Sequence, residues 1–530
     1  MAHTPPRTSR PYRTMSRRRL LQAFGAAGAG TLAGVPLLTA CGSDDGSDSG
    51  SGSDGGADGA GGRITLGIAN IMQFDPYLTN TEIHINTFYT YLVDYAGPDD
   101  YTAIPTGAES WEFDEGHTSV TIALRAATYH SGDAVTAADV VAGVERAQDP
   151  EAAFTLAQPS AFIDSATAVD ELTVRLDFVR PTPEELVIDW MSAFPLVPAD
   201  KNDPRTLENE PAGSGPFLLE SFQRDRSLVL TRNPDFFDDG KPYLDEVEFR
   251  FFRDEEALVS ALESGDVDGA TYLALRNAER LRDRFTLVES PGRMDLFFMN
   301  GSKPPFDNKE LRQAIARAID RERIIEQVRF GLGEPVYTAF MPSSPAYDSA
   351  YLDSHGFDLA AAEQMLQASR GPTRATAGVG NEPGAMEILQ IIQADLEKIG
   401  FELTIEPMEQ TTFLEELFAS NLECCVAAQP NNMQSPSLIA RGRQMLPSTD
   451  NVMMGDNVPD AYVEAVEATQ SAVSEDEQAT AYARLNEVLV DEAWAVGIST
   501  RPSLSALTDG IEGLTVDPRD FLVLTETLRT

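Results

Sequence analysis

The chain has 530 residues, a length that allows two to four domains. With 42% hydrophobic and 23% charged residues, its composition is that of a globular protein, which excludes wholesale disorder. Acidic side chains outnumber basic ones by 84 to 40, for a formal net charge of −44. So acidic a chain argues against a nucleic-acid partner, because binding phosphates needs basic side chains. The three cysteines are too few for a disulfide scaffold.

The first forty residues have the layout of an export signal. Six arginines and no acidic residue come before Ala23–Ala40, a weakly apolar stretch rich in alanine and glycine. Residues 16–22, S-R-R-R-L-L-Q, resemble the twin-arginine consensus, and Leu38–Cys41, L-T-A-C, resembles a bacterial lipobox. In proteins with that signal the cysteine is lipidated and becomes the new N-terminus, so we predict a lipid on Cys41. The alternative is a transmembrane helix, but the stretch is marginal in length and interrupted by Pro36.

A polar tether follows the cysteine. Residues 42–62 contain only Gly, Ser, Asp and Ala, which leaves nothing to bury in a core. A flexible segment of this length has a root-mean-square reach of about 25 Å. We therefore expect the folded body to lie at the extracytoplasmic face of the cell membrane, held there by the lipid.

From residue 63 onward the sequence shows strand periodicity in several places. Apolar residues recur at every second position in five segments, at 63–69, 120–124, 172–178, 247–251 and 401–405. These segments predict strands with one face directed toward a core.

Helices are predicted between these strands. Thr136 and Asp139 offer a cap for a helix over 140–147, and Asp307 begins a capping box before apolar positions at 311, 315 and 319.

Glycine marks the ends of two further helices. A helix over 257–262 is expected to stop near Gly265, and one over 386–399 at Gly400. Strands and helices mix without a strict alternation, which predicts α/β lobes with mixed sheets.

Four blocks of the sequence carry recognisable motifs. They are Y-H-S-G-D-A-V-T-A-A-D-V-V at 129–141, G-S-G-P-F at 213–217 with L-T-R-N-P at 230–234, M-N-G-S-K-P-P-F-D-N running into R-Q-A-I-A-R-A-I-D-R within 299–321, and residues 391–405. Together they resemble the family 5 extracellular solute-binding proteins of ABC importers, the oligopeptide, dipeptide and nickel-binding group. The blocks stand in family order, and the resemblance covers about residues 63–530.

The resemblance implies an α/β architecture, the two-lobed periplasmic-binding-protein-like fold of class II, in its large form with an extra subdomain. Lobe I would combine 63–88, 200–292 and 500–530, with the subdomain inserted at 89–199. Lobe II would be 293–499. The two lobes would close on a ligand.

Two crossings between the lobes, near 290–296 and 498–503, would form the hinge. Most motif residues are interpreted as scaffold: Gly213 and Gly215 predict a turn before a strand, and Pro234 ends one. The motifs therefore indicate the fold, while residues in the cleft would choose the ligand.

Ligand contacts are expected on loops that follow strands and at the interface between the lobes. The loop after the first strand supplies Asn70, Met72 and Phe74, and in the family this loop lines the cleft. The segment 82–91 supplies Tyr89 as a further candidate, with core packing of its aromatic residues as the alternative.

A third loop, 423–437, departs from the family pattern. Peptide-binding members resemble y-D-x-x-x-x-x-W-x-x-D-Y-x-D-P, where the Trp forms an apolar wall and the Asp pairs with the α-amino group. Aligned without gaps from Glu423 to Pro436, this chain has Gln429 at the Trp and Asn432 at the Asp. The predicted ligand contacts of this loop are Gln429, Asn431, Asn432 and Met433.

The amides of this loop change the expected ligand. Losing the carboxylate removes a charge-assisted bond worth about 1.5–3 kcal/mol, while amides suit hydroxyls, amides and sugar-like groups. Only Asp75 and Glu82 lie nearby as partners for an ammonium group, and Asp75 is interpreted as a local cap. We therefore expect a neutral or polar solute, or a modified peptide.

Cys424 and Cys425 lie in an apolar strand and are interpreted as two buried residues on opposite faces. A strained vicinal disulfide is the alternative. The four histidines beyond residue 40 have no ligand spacing, so we expect neither a metal nor a cofactor.

Binding is favoured over catalysis. The sequence has no H-E-x-x-H, G-x-S-x-G or phosphate-binding G-K-S/T motif, so we expect no enzyme activity. The expected protein is a monomeric solute-binding lipoprotein that delivers a peptide-like or other polar organic solute to ABC permease and ATPase subunits. The alternatives are a sensor or adhesin on the same fold, and an exported hydrolase.

Overall fold

The structure is a computed structural model. It describes residues 61–68, 74–77, 85–98, 100–149, 160–202, 207, 211–429 and 435–530. The predicted signal, Cys41 and the tether up to residue 60 lie outside the described residues.

The strands of the described residues are numbered in chain order. They are β1 Arg63–Ile68, β2 Val93–Gly97, β3 Asp100–Pro105, β4 Ala108–Phe113, β5 Ser119–Leu124, β6 Ile163–Ala168, β7 Thr173–Phe178, β8 Phe217–Gln223, β9 Ser227–Arg232, β10 Glu246–Phe251, β11 Gly269–Leu273, β12 Thr286–Met299, β13 Arg374–Val379, β14 Glu402–Pro407, β15 Cys424–Gln429, β16 Ala495–Leu507, β17 Ile511–Glu512, β18 Thr515–Val516, β19 Leu522–Val523 and β20 Leu528–Arg529.

The α-helices of the same residues are numbered in the same way. They are α1 Ile85–Phe88, α2 Ala137–Gln148, α3 Glu184–Ala193, α4 Glu255–Ser264, α5 Ala278–Leu281, α6 Lys309–Arg317, α7 Arg321–Val328, α8 Ala350–His355, α9 Leu359–Ser369, α10 Ala385–Lys398, α11 Gln410–Phe418, α12 Asp460–Thr469 and α13 Glu475–Glu492.

One large mixed sheet runs through both lobes. Its strand order is β14-β13-β15-β12-β16-β11-β1-β10-β9-β8. Strand β1 is parallel to β10 and β11, and β13 is parallel to β14 and β15, while β12 and β16 are antiparallel to their neighbours. The long strands β12 and β16 pair with each other and join the two halves of the sheet. The predicted two-lobed α/β fold with mixed sheets is confirmed.

Both faces of the sheet are buried in the lobe-II half. Phe297 and Cys424 belong to one hydrophobic core, and Phe298 and Cys425 to another. Successive side chains of a strand point to opposite faces, so each neighbouring pair is divided between the two cores. The two cysteines are free buried thiols on opposite faces, as predicted, and form no disulfide.

A smaller antiparallel sheet, in the order β4-β5-β7-β6, falls inside the segment 89–199. Its buried residues join those of β1 and β10 in one continuous core. The lobe and subdomain boundaries stay a prediction.

All five predicted strands are present, and most predicted helix ends are confirmed. The backbone N–H of Thr136 donates to Asp139 at 2.7 Å at the start of α2. Helix α4 ends at Gly265, which has a φ of 80° and so adopts a conformation that favours glycine.

The predicted start of α6 was wrong by one residue. Asn308, rather than Asp307, is the N-cap, and its side chain accepts a hydrogen bond from the Leu311 N–H at 3.1 Å. Helix α6 also ends at Arg317, so Ile319 is buried outside it. An Asp-Asn pair offers two competing caps, and the sequence pattern alone does not choose between them.

Candidate functional site

The carboxyl ends of the parallel strands in the two lobes face each other across β12 and β16. In lobe I, β11 ends at Leu273, which pairs with Leu504 of β16. In lobe II, β15 ends at Gln429, which pairs with Met294, and Met294 pairs in turn with Thr500. The two edges are therefore separated by residues 500–504, or about 13 Å along β16. Ligands of open α/β sheets bind outside such carboxyl ends.

A cavity of about 540 Å³ lies between these edges, and we name it the interlobe cavity. Lobe I lines it with residues that follow β10, with the end of β11 and with the residues after β11. Lobe II lines it with the end of α7 and the start of α10. The floor includes Arg293 of β12 and residues 501–503 of β16. Its volume is in the usual range for small-molecule sites. The interlobe cavity is the candidate ligand site.

Buried ion pairs fix the lobe-II side of the cavity. Asp295 of β12 is buried and bonds to the guanidinium of Arg329, and a second nitrogen of that guanidinium donates to the Pro383 carbonyl at 3.2 Å. Arg501 of β16 bonds to Glu382 at 2.9 Å and lies 3.9 Å from Asp295. Burial lowers the pKa of Arg501, but the two carboxylates outweigh that effect and the pKa is raised. Arg501 is therefore a fixed cation.

A carboxylate lies on the lobe-I side. Asp520 accepts hydrogen bonds from the hydroxyls of Ser290, at 3.1 Å, and Ser503, at 3.0 Å. These serines are opposite each other on β12 and β16. Burial raises the pKa of Asp520, while the Ser503 hydrogen bond and the positive charge of Arg293 oppose that rise. Asp520 therefore ties the C-terminal segment to both crossing strands.

The start of α4 forms the lobe-I rim of the cavity. Asp254 is the N-cap and accepts from the Ala257 N–H at 2.8 Å. Glu255 bonds to Arg276 and accepts from the Asn277 amide at 2.9 Å. Both carboxylates are thus engaged within lobe I.

Two of the predicted ligand residues lie in the core of lobe I. The Phe74 ring packs edge-on against Phe88 and Phe222, with centroids 5.6 and 5.1 Å apart. The Tyr89 hydroxyl donates to the Phe74 carbonyl at 3.0 Å. Packing is the role that the structure shows for both, and ligand contact by either stays a prediction. Asn70 and Met72 lie outside the described residues.

Asp75 has the local role that the sequence predicted for it. One of its oxygens accepts from the Tyr77 N–H at 3.0 Å, and the other pairs with Arg146 at 2.7 Å. Asp75 is fully buried, and its charge is already neutralised within lobe I.

The backbone of Gln429 pairs with Met294, the residue that follows Arg293 of the cavity floor. Asn431, Asn432 and Met433 lie outside the described residues, so their role stays a prediction. The segment that follows is anchored to another part of the chain, since the Ser435 N–H donates to Asp189 at 2.6 Å.

Side chains of the segment 89–199 also contact lobe II directly. Glu185 of α3 accepts hydrogen bonds from Gln478, at 2.9 Å, and from the Tyr482 hydroxyl. The Tyr101 hydroxyl lies 3.2 Å from that of Ser343. These contacts join the two lobes independently of β12 and β16.

The charged residues of the cavity were missed in the sequence, although a signal was present. Arg293 lies inside the first predicted crossing, 290–296, and Arg501 inside the second, 498–503. Two arginines at the predicted hinge of so acidic a chain are candidates for contact with a ligand. Asp295, which pairs with Arg329, lies in the first crossing as well.

Within the described ranges, no group of three or more His, Cys, Asp or Glu side chains could hold a metal ion. The helices of those ranges include none with both the length and the apolarity to cross a membrane.

Residues 102–439 match the family model for bacterial extracellular solute-binding proteins, family 5, middle region. The glutathione-binding protein GsiB of Pectobacterium atrosepticum is 25% identical over 349 residues, which cover 64% of this chain and 67% of that protein. A dipeptide-binding protein of Pseudomonas aeruginosa is 24% identical over 500 residues, covering 84% and 90%. The solved structure of AgaA from A. tumefaciens R10 in complex with agropinic acid superposes with a TM-score of 0.77 at 23% identity, covering 88% of this chain and 99% of AgaA.

Proposed function

Because the chain belongs to family 5 of the bacterial extracellular solute-binding proteins, we propose that it is the lipid-anchored binding component of an ABC importer. It captures a peptide-like or other polar organic solute between its lobes and delivers it to a membrane permease. The relatives that match over most of their length are named as binding proteins, which supports binding without catalysis.

The observation that carries this proposal is the interlobe cavity. It lies at the carboxyl ends of strands from both lobes, and two crossing strands form its floor. A site built from two lobes binds its ligand fully only when the lobes approach each other, which couples binding to a change of shape. A permease can distinguish the closed shape from the open one.

The ligand class follows from the relatives and from the cavity volume. The relatives are named for glutathione and for dipeptides, and the AgaA structure contains agropinic acid. A volume of about 540 Å³ suits solutes of that size. In the sequence, Asn70 and Met72 come after β1, and Asn431, Asn432 and Met433 come after β15, which ends at Gln429. We include these residues, with Phe74 and Tyr89, among the proposed ligand contacts.

The N-terminal segment supports the location. A lipid on Cys41 and the tether after it would hold a monomeric body at the extracytoplasmic face of the membrane, next to permease and ATPase subunits. No cofactor is required, because capture needs no chemical step. A sensor or adhesin with the same fold would bind the solute without supporting its uptake.

Small-angle scattering tests the proposal. The variant Cys41→Ser, which cannot be lipidated, is purified and screened against dipeptides, glutathione, agropinic acid and sugar acids by native mass spectrometry. With a retained solute at saturation, we expect the radius of gyration to fall as the lobes close. Identical profiles with and without a saturating ligand would reject capture by closure.

A further inference from the structure

The interlobe cavity is far more basic than the chain that surrounds it. Over the whole sequence acidic residues outnumber basic ones by 84 to 40. In the cavity the small excess is on the basic side, because five arginines and four carboxylates line it. The arginines are Arg253, Arg276, Arg293, Arg329 and Arg501.

Three of the five arginines already have carboxylate partners. Arg276 bonds to Glu255, Arg329 to Asp295, and Arg501 to Glu382. Their charges are largely neutralised inside the protein, so they shape the cavity more than they attract a ligand.

Arg293 is different. Its side chain is half-buried, and its guanidinium forms no hydrogen bond or ion pair with any of the described residues. The charge of Arg293 acts on Asp520, but both oxygens of Asp520 accept hydrogen bonds from Ser290 and Ser503 instead. A partly buried charge without a partner is costly, and proteins retain such groups mainly where a ligand supplies the partner.

The position of Arg293 adds to that cost. Arg293 of β12 is directly opposite Arg501 of β16 in the antiparallel ladder. Like charges in directly opposed positions destabilise a sheet. The two arginines stand side by side on the cavity floor, where the strands cross between the lobes, and the carboxylate partners of Arg501 reduce the repulsion between them.

We propose that the solute is an organic acid and that Arg293 binds its carboxylate. This inference rests on the proposed function and narrows its ligand class. A planar guanidinium binds a carboxylate through two parallel hydrogen bonds, which a lysine cannot reproduce. The amides of the 423–437 loop, which alone favoured a neutral solute, would then contact the uncharged part of the ligand.

Pairs of acids and their carboxamides test the inference. Glutathione, agropinic acid and a dipeptide are each compared with the form in which the carboxylates are converted to amides, by calorimetry on the Cys41→Ser protein. We expect at least one acid to bind about 10- to 100-fold more tightly than its amide. In Arg293→Gln that acid should lose the advantage while the amide binds as before, and Arg293→Lys should be intermediate.

Arg253→Gln is the matched control. Arg253 is an exposed arginine on the rim of the same cavity, so removing its charge changes the net charge of the cavity equally without touching the floor. It should change the affinity for the acid by less than about threefold. An equal loss in both variants would show a general field effect and would overturn the role of Arg293.

The remaining outcomes separate this inference from the proposed function. Equal affinity of the wild type for acids and amides overturns the inference. So does an Arg293→Gln variant that loses affinity for the acid and for the amide equally, which is the result expected if Arg293 only offsets the charge of Asp520. Closure with a neutral solute alone refutes the organic acid and leaves the transport function intact. If no solute at all produces closure, the proposed function fails as well.

Discussion

The Asp189 carboxylate accepts a hydrogen bond of 2.6 Å from the backbone N–H of Ser435, and both residues are buried. The other Asp189 oxygen accepts from the Tyr95 hydroxyl at 2.5 Å. Asp189 belongs to α3, inside the segment 89–199, whereas Ser435 immediately follows the loop that carries Asn431, Asn432 and Met433. One buried carboxylate thus connects the predicted insert to the loop expected to hold the ligand.

Asp189→Asn should weaken that connection. The amide keeps the shape but loses the charge that strengthens both hydrogen bonds, so we expect about 1–2 kcal/mol less stability in urea unfolding. Glu184→Gln on the same helix is the control. The Glu184 side chain is 57% exposed, and its distance of 3.9 Å from His117 is too long for a hydrogen bond. Superimposable unfolding curves for Asp189→Asn and Glu184→Gln would contradict this role.

The Asp295–Arg329 pair should behave as a buried unit. Either single variant, Asp295→Asn or Arg329→Met, leaves one buried charge without its main partner and should cost about 3–5 kcal/mol. The double variant should cost clearly less than the sum of the two. Chemical unfolding of all four proteins measures the coupling, and additive effects would show that the pair is not coupled.

Gly292 should tolerate no side chain. It has a φ of 64°, and a Cβ there would lie 2.2 Å from the Arg501 carbonyl oxygen and 2.7 Å from the Ser503 nitrogen. Gly292→Ala should therefore cost about 2–5 kcal/mol through strain and overlap.

Gly265 provides the control for that variant. Its φ is 80°, but a Cβ would meet nothing within 4 Å. Gly265→Ala should cost about 1–2 kcal/mol, from backbone strain alone. Thermal unfolding that ranks the two variants equally would rule out a close approach of β12 and β16 at Gly292.

His130 should make stability depend on pH. Burial lowers its pKa below the ordinary value of 6.5. The hydrogen bond between its ring and the Gly215 carbonyl, at 3.1 Å, opposes that shift but does not cancel it. The unfolded chain therefore takes up the proton first. The contribution of His130 is complete above about pH 6.5 and is lost as the pH falls from there toward its lowered folded value.

The pH effect is measured by comparison with His130→Gln. The wild type should lose more stability than the variant between about pH 7.5 and about pH 5.5. Carboxylates titrate in the same way in both proteins, so they cancel in the difference. Parallel pH profiles would mean that His130 does not titrate differently in the two states.

Cys41→Ser should release the protein from membranes. Without the thiol no lipid can be attached, and a polar tether has no membrane affinity of its own. Fractionation and immunoblotting measure the distribution, with Arg17→Lys/Arg18→Lys as a companion variant that should block twin-arginine export. Membrane retention of Cys41→Ser would refute the lipid anchor.

The sequence was sufficient for local structure. Alternating apolar residues identified β1, β5, β7, β10 and β14, because a strand with one buried face imposes that period. Gly265 and Gly400 marked the ends of α4 and α10, because each adopts a φ near 80°. Where two neighbouring residues could both cap a helix, as at Asp307 and Asn308, the pattern erred by one position.

The ligand site was only partly accessible from the sequence. The ordered motifs indicated the family and the loops expected to line a cleft, but the aromatic residues chosen there, Phe74 and Tyr89, pack in the core. Aromatic side chains suit a cleft and a core equally well, so residue type does not separate the two.

Which charges remain available to a ligand was decided by the tertiary structure alone. Sequence composition gives the number of arginines and carboxylates, but not their pairing, because Arg329 and Asp295 are 34 residues apart and Arg501 and Glu382 are 119 apart. Folding brings β12 and β16 together, neutralises Arg329 and Arg501 with carboxylates, and leaves Arg293 facing the cavity. Local periodicity is a property of neighbouring residues and is therefore written in the sequence, whereas electrostatic balance depends on distances that only the folded chain sets.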